Sequence, residues 1–225
     1  MKRKFCFAIL IVSILGLSVA CLTPDAQAMN LLQNAGFATP GPYGASTSFT
    51  GDMGAGTGDG SAAQNWGVWN NVFGTTTTEL LPSTLHAGES MIHVTTTGEN
   101  SGLVQTFLPY GTGPTHAFGS VWVYVLSGGV DFGIGKGGMT GYTGASEITY
   151  TTDKWELLDG PNAYSPANEM IIYSAPGSGA DYYAADASVS AVPEPSTFIL
   201  LGAGTIILAA FKVLGSGKKP QPRLA

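Results

Sequence analysis

The chain has 225 residues, with nine Lys or Arg against fifteen Asp or Glu, 32 glycines, 13 prolines and two cysteines. Of the basic residues only Lys136 and Lys154 lie between Met29 and Ala191, against thirteen acidic ones, so that stretch carries a net charge of −11. Such a surface repels the phosphates of nucleic acids and of anionic lipids, which both need a basic face, and nucleic-acid binding is excluded.

The N-terminus opens on Met1-Lys2-Arg3-Lys4, continues as an apolar run from Phe5 to Ala20 and reaches Ala26-Gln27-Ala28. A basic start, a short apolar core and an Ala-x-Ala site describe a secretory signal peptide over residues 1–28, with Ala26 and Ala28 as the cleavage determinants. The Sec translocon and signal peptidase are the partners such a leader requires. A lipoprotein signal ending at Cys21 is the competing reading, and Ser18 fits it poorly. Both cysteines, Cys6 and Cys21, precede the cut after Ala28. The exported domain therefore has no disulfide and must be held by its own core, with or without a metal.

Residues 29–191 are the length of one domain, rich in Gly, Thr, Ser and aromatic residues. Met29 to Phe37 reads as a strand ending in a turn. From Thr39 to about Gln64, seven glycines between positions 41 and 60 leave nothing to build a core from, which predicts a surface loop. After Trp66-Gly67-Val68-Trp69 and a run of threonines, alternation becomes clear in Met91-Ile92-His93-Val94-Thr95, with His93 on a polar, solvated face. Further short strands are predicted over Leu103 to Phe107, Val130 to Ile134, Ile148 to Thr151, Trp155 to Leu158, Met170 to Tyr173 and Tyr182 to Val189. Phe118 to Leu126, β-branched and aromatic throughout, is the candidate central strand. Short strands separated by Gly and Pro turns, with no helical pattern between them, predict an all-β fold, an antiparallel β-sandwich.

The opening Asn30-Leu31-Leu32-Gln33-Asn34-Ala35-Gly36-Phe37 and the closing Tyr182-Tyr183-Ala184-Ala185-Asp186-Ala187-Ser188-Val189 resemble the first and last strands of jelly-roll carbohydrate-binding modules. The resemblance implies that the two ends lie side by side. It also implies a structural calcium there, with Asp186 as its surviving ligand, although Ala38 and Ala185 stand where acidic residues are usual in the family.

Catalytic signatures are few. His86, His93 and His116 are too scattered for a spaced zinc motif, and no Gly-x-Ser-x-Gly elbow occurs. Gly133-x-Gly135-x-x-Gly138 matches a dinucleotide fingerprint, but no helical pattern follows it. Gly56-Thr57-Gly58-Asp59-Gly60 is one unrepeated fragment of a calcium-binding repeat. Any two of the thirteen carboxylates could form a glycosidase pair, and nothing marks one. Trp66 and Trp69 fall on opposite sides if their segment is a strand. One of them could stack on a sugar with Asn70 and Asn71 donating hydrogen bonds; the alternative places both rings in the core.

The chain closes on Val192-Pro193-Glu194-Pro195-Ser196-Thr197, an apolar run over about 198–214 and a tail over 215–225 with Lys218, Lys219 and Arg223. The run is at the short limit for one transmembrane helix, and the basic end places the tail in the cytoplasm with the domain outside. Pro-Glu-Pro two residues before an apolar helix, followed by a basic end, resembles the PEP-CTERM sorting signal, with Val192, Pro193, Glu194 and Pro195 as its motif. The resemblance implies exosortase as a partner, an anchored inner-membrane precursor, and delivery to the cell surface or outside the cell. A plain membrane anchor behind a proline hinge is the alternative, which sets no particular spacing between motif and helix.

Three functions compete for the exported domain. The first is a non-catalytic surface or matrix component associated with exopolysaccharide or biofilm, as the sorting resemblance implies. The second is a glycan-binding module, which an ordered aromatic platform at the surface would distinguish from the first. A secreted glycan-active enzyme, the third, needs two convergent carboxylates or a metal in a cleft.

Overall fold

The computed structural model describes residues 29–50, 60–70, 74–109, 111–135, 147–162 and 165–192. The signal peptide with Ala26 and Ala28, Asn71, Pro193, Glu194, Pro195 and the expected transmembrane run lie outside them. The described residues contain strands and turns only: β1 (Ser46–Thr50), β2 (Gly67–Trp69), β3 (Thr75–Pro82), β4 (Ser90–Thr96), β5 (Gly102–Thr106), β6 (Ala117–Ser127), β7 (Val130–Gly135), β8 (Glu147–Thr149), β9 (Trp155–Pro161), β10 (Glu169–Ser174) and β11 (Asp181–Ala191). No helix among these residues is long and apolar enough to cross a membrane.

Two antiparallel sheets form, one of six strands in the order β1-β3-β4-β11-β6-β9 and one of five in the order β2-β5-β10-β7-β8. The predicted β-sandwich is the observed architecture. Alternation decides which side chains meet between the sheets. Ile92 and Val94 of β4, Val121, Val123 and Val125 of β6 and Tyr182, Ala184 and Val189 of β11 point inward from the larger sheet. Leu103 of β5, Phe132 and Ile134 of β7 and Met170 and Ile172 of β10 meet them from the smaller one. β6 is an interior strand, paired with β11 on one side and β9 on the other.

A polar bond crosses this core. The Tyr182 hydroxyl donates to the Ile172 carbonyl at 2.6 Å, joining β11 to β10. A buried phenol needs such a partner, and burial pushes its pKa up. Gly102 lies against this bond: a Cβ there would stand 2.4 Å from the Ile172 oxygen and 2.8 Å from the Tyr182 hydroxyl.

Residues 29–37 are not a strand, contrary to the expectation. Asn34 and Phe37 adopt positive φ angles of 50° and 53°, which break the extended run. The segment still docks along β11, as the two ends of the sequence predicted. Leu31 N–H donates to the Val189 carbonyl and Ala187 N–H to the Ala35 carbonyl. The Asn30 side chain acts as a surrogate peptide, accepting from Val189 N–H and donating to the Ala187 carbonyl. Phe37 then plugs the core against Trp66, with ring centroids 4.9 Å apart.

The predicted glycine loop is a second difference. Its first part forms edge strand β1, and Ala62 and Ala63 are buried. Threonines make this possible. Thr47 and Thr78 share a hydroxyl bond of 2.7 Å, Thr47 donates to the Gly60 carbonyl, and Thr78 accepts from Ala62 N–H. The threonine run after Trp69, which shows no apolar alternation, is β3.

Candidate functional site

The outer face of the six-stranded sheet carries a transverse row of rings. The register places His93 of β4 opposite Tyr183 of β11, Tyr183 opposite Tyr124 of β6, and Tyr124 opposite Trp155 of β9. Side chains directly opposite on neighbouring strands point the same way, so four ring-bearing residues share one line across four strands. Ring centroids are 4.7 Å apart for His93 and Tyr183, 6.1 Å for Tyr183 and Tyr124, and 5.7 Å for Tyr124 and Trp155. All four rings are half-buried, meeting at tilted or edge-to-face angles. Trp122, two residues before Tyr124 on the same face, adds a fifth half-buried ring beside the row.

The rim of the row is acidic. Glu79 of β3 is exposed and directly opposite His93 in the register. Asp181, two residues before Tyr183, sits 2.6 Å from His93 Nε2 through Oδ1, the same oxygen to which the Thr95 hydroxyl donates at 3.2 Å. Their side chains remain 25% and 33% exposed, so the pair belongs to the surface and not to the core. His93 is thus an ordered part of the face, where its place among polar residues had predicted free solvation. Asp159 of β9, opposite Ser120, is exposed on the same face, four residues along the strand from Trp155.

The residues singled out in the sequence lie elsewhere. Trp66 is fully buried; its indole N–H donates to the Asn34 carbonyl, so it is a core residue and presents no ring to a ligand. Trp69 lies half-buried on the outer face of the five-stranded sheet, packed with Val104, Ile171 and Tyr173. Asn70 is buried, donating to the Phe49 carbonyl and accepting from the Thr76 hydroxyl. Both of its roles are structural. Asn71 lies outside the described residues.

Asp186 has a positive φ of 49° at the irregularity where the β11–β6 register shifts. Its Oδ2 is 3.2 Å from His86 Nε2, and Glu89 completes a group whose ligand atoms lie within 4.8 Å of one another. This donor set offers one nitrogen and two carboxylates, whereas calcium takes about six to eight oxygens. The set does not fit a structural calcium.

Two acids lie on the outer face of the five-stranded sheet. Glu169 of β10 is buried, and burial pushes its carboxyl up to about 7 against the bond donated by the Thr106 hydroxyl. Asp131 of β7 is also buried. Tyr173 pairs with Asp131 and Glu169 with Gly135, so the two acids stand four residues apart along the strands. That is about 13 Å, beyond the roughly 5 to 9.5 Å of a glycosidase pair.

Residues 191–216 match the PEP-CTERM protein-sorting motif. No curated protein matches the chain. Among solved structures, the CBM22-1 xylan-binding domain of Xyn10C from Paenibacillus barcinonensis is 16% identical with a TM-score of 0.44, over 65% of this chain and 94% of that one. The family 11 carbohydrate-binding module of the cellulosomal cellulase Lic26A-Cel5E from Clostridium thermocellum is 14% identical with a TM-score of 0.43, over 65% and 98%. The sorting match begins at Ala191, the last residue of β11. Val192 follows, exposed, its N–H donating to the His116 carbonyl at 2.9 Å.

Proposed function

We propose that the chain is a non-catalytic surface protein, exported and sorted by an exosortase, whose β-sandwich binds extracellular polysaccharide on the outer face of its six-stranded sheet. The row His93–Tyr183–Tyr124–Trp155 is the observation that carries this reading. Sugar rings present flat C–H faces that stack on aromatic rings, with hydroxyls left for polar groups at the edge. Neighbouring strands are about 4.8 Å apart, which spaces successive rings on the scale of successive sugars in an extended chain. Glu79, Thr95 and Asp181 supply the acceptors beside them.

The rings are held in place before any ligand arrives, by their strands and by one another, so little ordering entropy opposes binding. Many copies on a surface raise affinity through avidity, as suits a matrix component of exopolysaccharide or biofilm.

For export, the leader passes the Sec translocon and signal peptidase, and the C-terminal segment holds the precursor in the inner membrane until exosortase acts. The sorting match starts where β11 ends, so cleavage beyond Val192 removes none of the described strands. Two experiments test the reading. Deleting the exosortase should leave the full-length form in the inner membrane, and an unchanged size and distribution would leave the segment a plain anchor. The exported protein should be retained by the producing strain's own exopolysaccharide, and a folded protein that passes through unretained would contradict glycan binding.

A further inference from the structure

We infer that the aromatic row selects a cationic glycan, a polysaccharide of de-N-acetylated hexosamines, over neutral or uronic-acid chains. The inference rests on the glycan-binding reading and concerns what that face prefers.

Among the described residues the charged side chains on this face, His93 aside, are carboxylates. Glu79 is exposed opposite His93 at one end of the row, and Asp181 is half-buried beside His93 and Tyr183. Asp159 is exposed on the same face, four residues along β9 from Trp155. Asp181 is a fixed acceptor: His93 Nε2 and the Thr95 hydroxyl both engage Oδ1, and among the described residues Oδ2 takes no bond. No arginine occurs between Met29 and Ala191. Lys154, the one lysine among the described residues, stands 3.5 Å from Glu156, on the turn leading into β9.

A uronate chain meets repulsion on such a face and finds no guanidinium to pair with its carboxylates. A glucosamine-type ammonium gains twice. It makes charge-assisted hydrogen bonds to the carboxylates at the edge, and it interacts with the ring faces as a cation. N-acetylation removes both gains while leaving the sugar ring to stack. The distinction therefore falls on one functional group of the ligand.

The test uses the full chain in detergent with four probes: chitosan oligosaccharides, their fully N-acetylated counterparts, neutral β-glucan oligosaccharides and oligo-uronates. Chitosan oligosaccharides should bind about tenfold more tightly than the N-acetylated ones, the worth of one charge-assisted contact. That preference should fade between about 50 and 500 mM NaCl, and should fall in Glu79→Gln and Asp181→Asn variants that keep the wild-type melting transition. Equal affinity for acetylated and deacetylated probes, or tighter binding of uronates, overturns the charge inference and leaves the glycan reading standing. Binding of none of the four probes by the folded chain, together with no retention on the native exopolysaccharide, overturns both.

Discussion

Tyr124 and Tyr183 stand opposite each other on β6 and β11, ring centroids 6.1 Å apart, on the solvent side of the six-stranded sheet. The next residue along, Tyr182, points the other way and is wholly buried, its hydroxyl bonded to the Ile172 carbonyl of the opposite sheet. Strand alternation alone separates a ring that builds the fold from a ring that meets the outside.

That contrast is measurable. Tyr182→Phe leaves the Ile172 carbonyl without its core partner and should cost about 1 to 2 kcal/mol in denaturant unfolding. Tyr183→Phe keeps the ring and loses only a surface hydroxyl, so its stability should stay within roughly 0.5 kcal/mol of wild type. Equal effects would mean that the two faces of β11 are misassigned.

Glu169 predicts a pH dependence. Its folded carboxyl titrates near 7, above the ordinary 4.5, because burial disfavours the charged form. The folded state therefore binds the proton more tightly than the unfolded chain does. The resulting stability is full below about pH 4.5 and is lost as pH rises through 7, a loss of roughly 3 kcal/mol. Glu156 acts in the opposite sense, since the Thr149 hydroxyl bond holds its carboxyl below the ordinary value; its contribution is present above about pH 4.5 and disappears on acidification. Between pH 5 and 7 Glu169 thus makes stability fall as pH rises. Denaturation midpoints across that window should fall in the wild type and stay flat in Glu169→Gln; a parallel slope in both would assign it to another group.

The cluster of His86, Glu89 and Asp186 predicts indifference to calcium. With two carboxylates and a histidine on the surface, chelation by EDTA and addition of millimolar calcium should each move the melting temperature by less than about 1 °C. A shift of several degrees, tracking calcium concentration as mass action requires, would restore a structural calcium.

Much of this architecture was legible in local pattern. The alternation from Val121 to Val125 placed β6, and the resemblance of the segments at Asn30 and Val189 to jelly-roll end strands implied that the two ends dock together. The sorting segment was legible through the resemblance of Pro193-Glu194-Pro195, with the apolar run and basic end after it, to the PEP-CTERM signal. Other parts could not be read locally. β3 was hidden because Thr76 and Thr78 face inward while Thr75 and Thr77 do not: one residue type on both faces leaves no alternation to see. The first segment misled because the φ angles of Asn34 and Phe37 leave no trace in hydrophobicity. Positions 93, 124, 155 and 183 become neighbours only through the register of four strands, so no window of sequence contains the ring row. Trp66 and Trp69 drew attention as a local pair. The burial of Trp66 depends on Phe37 and Asn34, about thirty residues away.

The most direct measurement of the central claim is retention of the exported protein on the producing strain's exopolysaccharide, comparing wild type with Tyr124→Ala, Tyr183→Ala and the double variant. Each lost ring should weaken binding about tenfold, and the double variant should abolish it while the melting transition shows a folded domain. Wild-type retention by double-variant protein that remains folded would contradict the account.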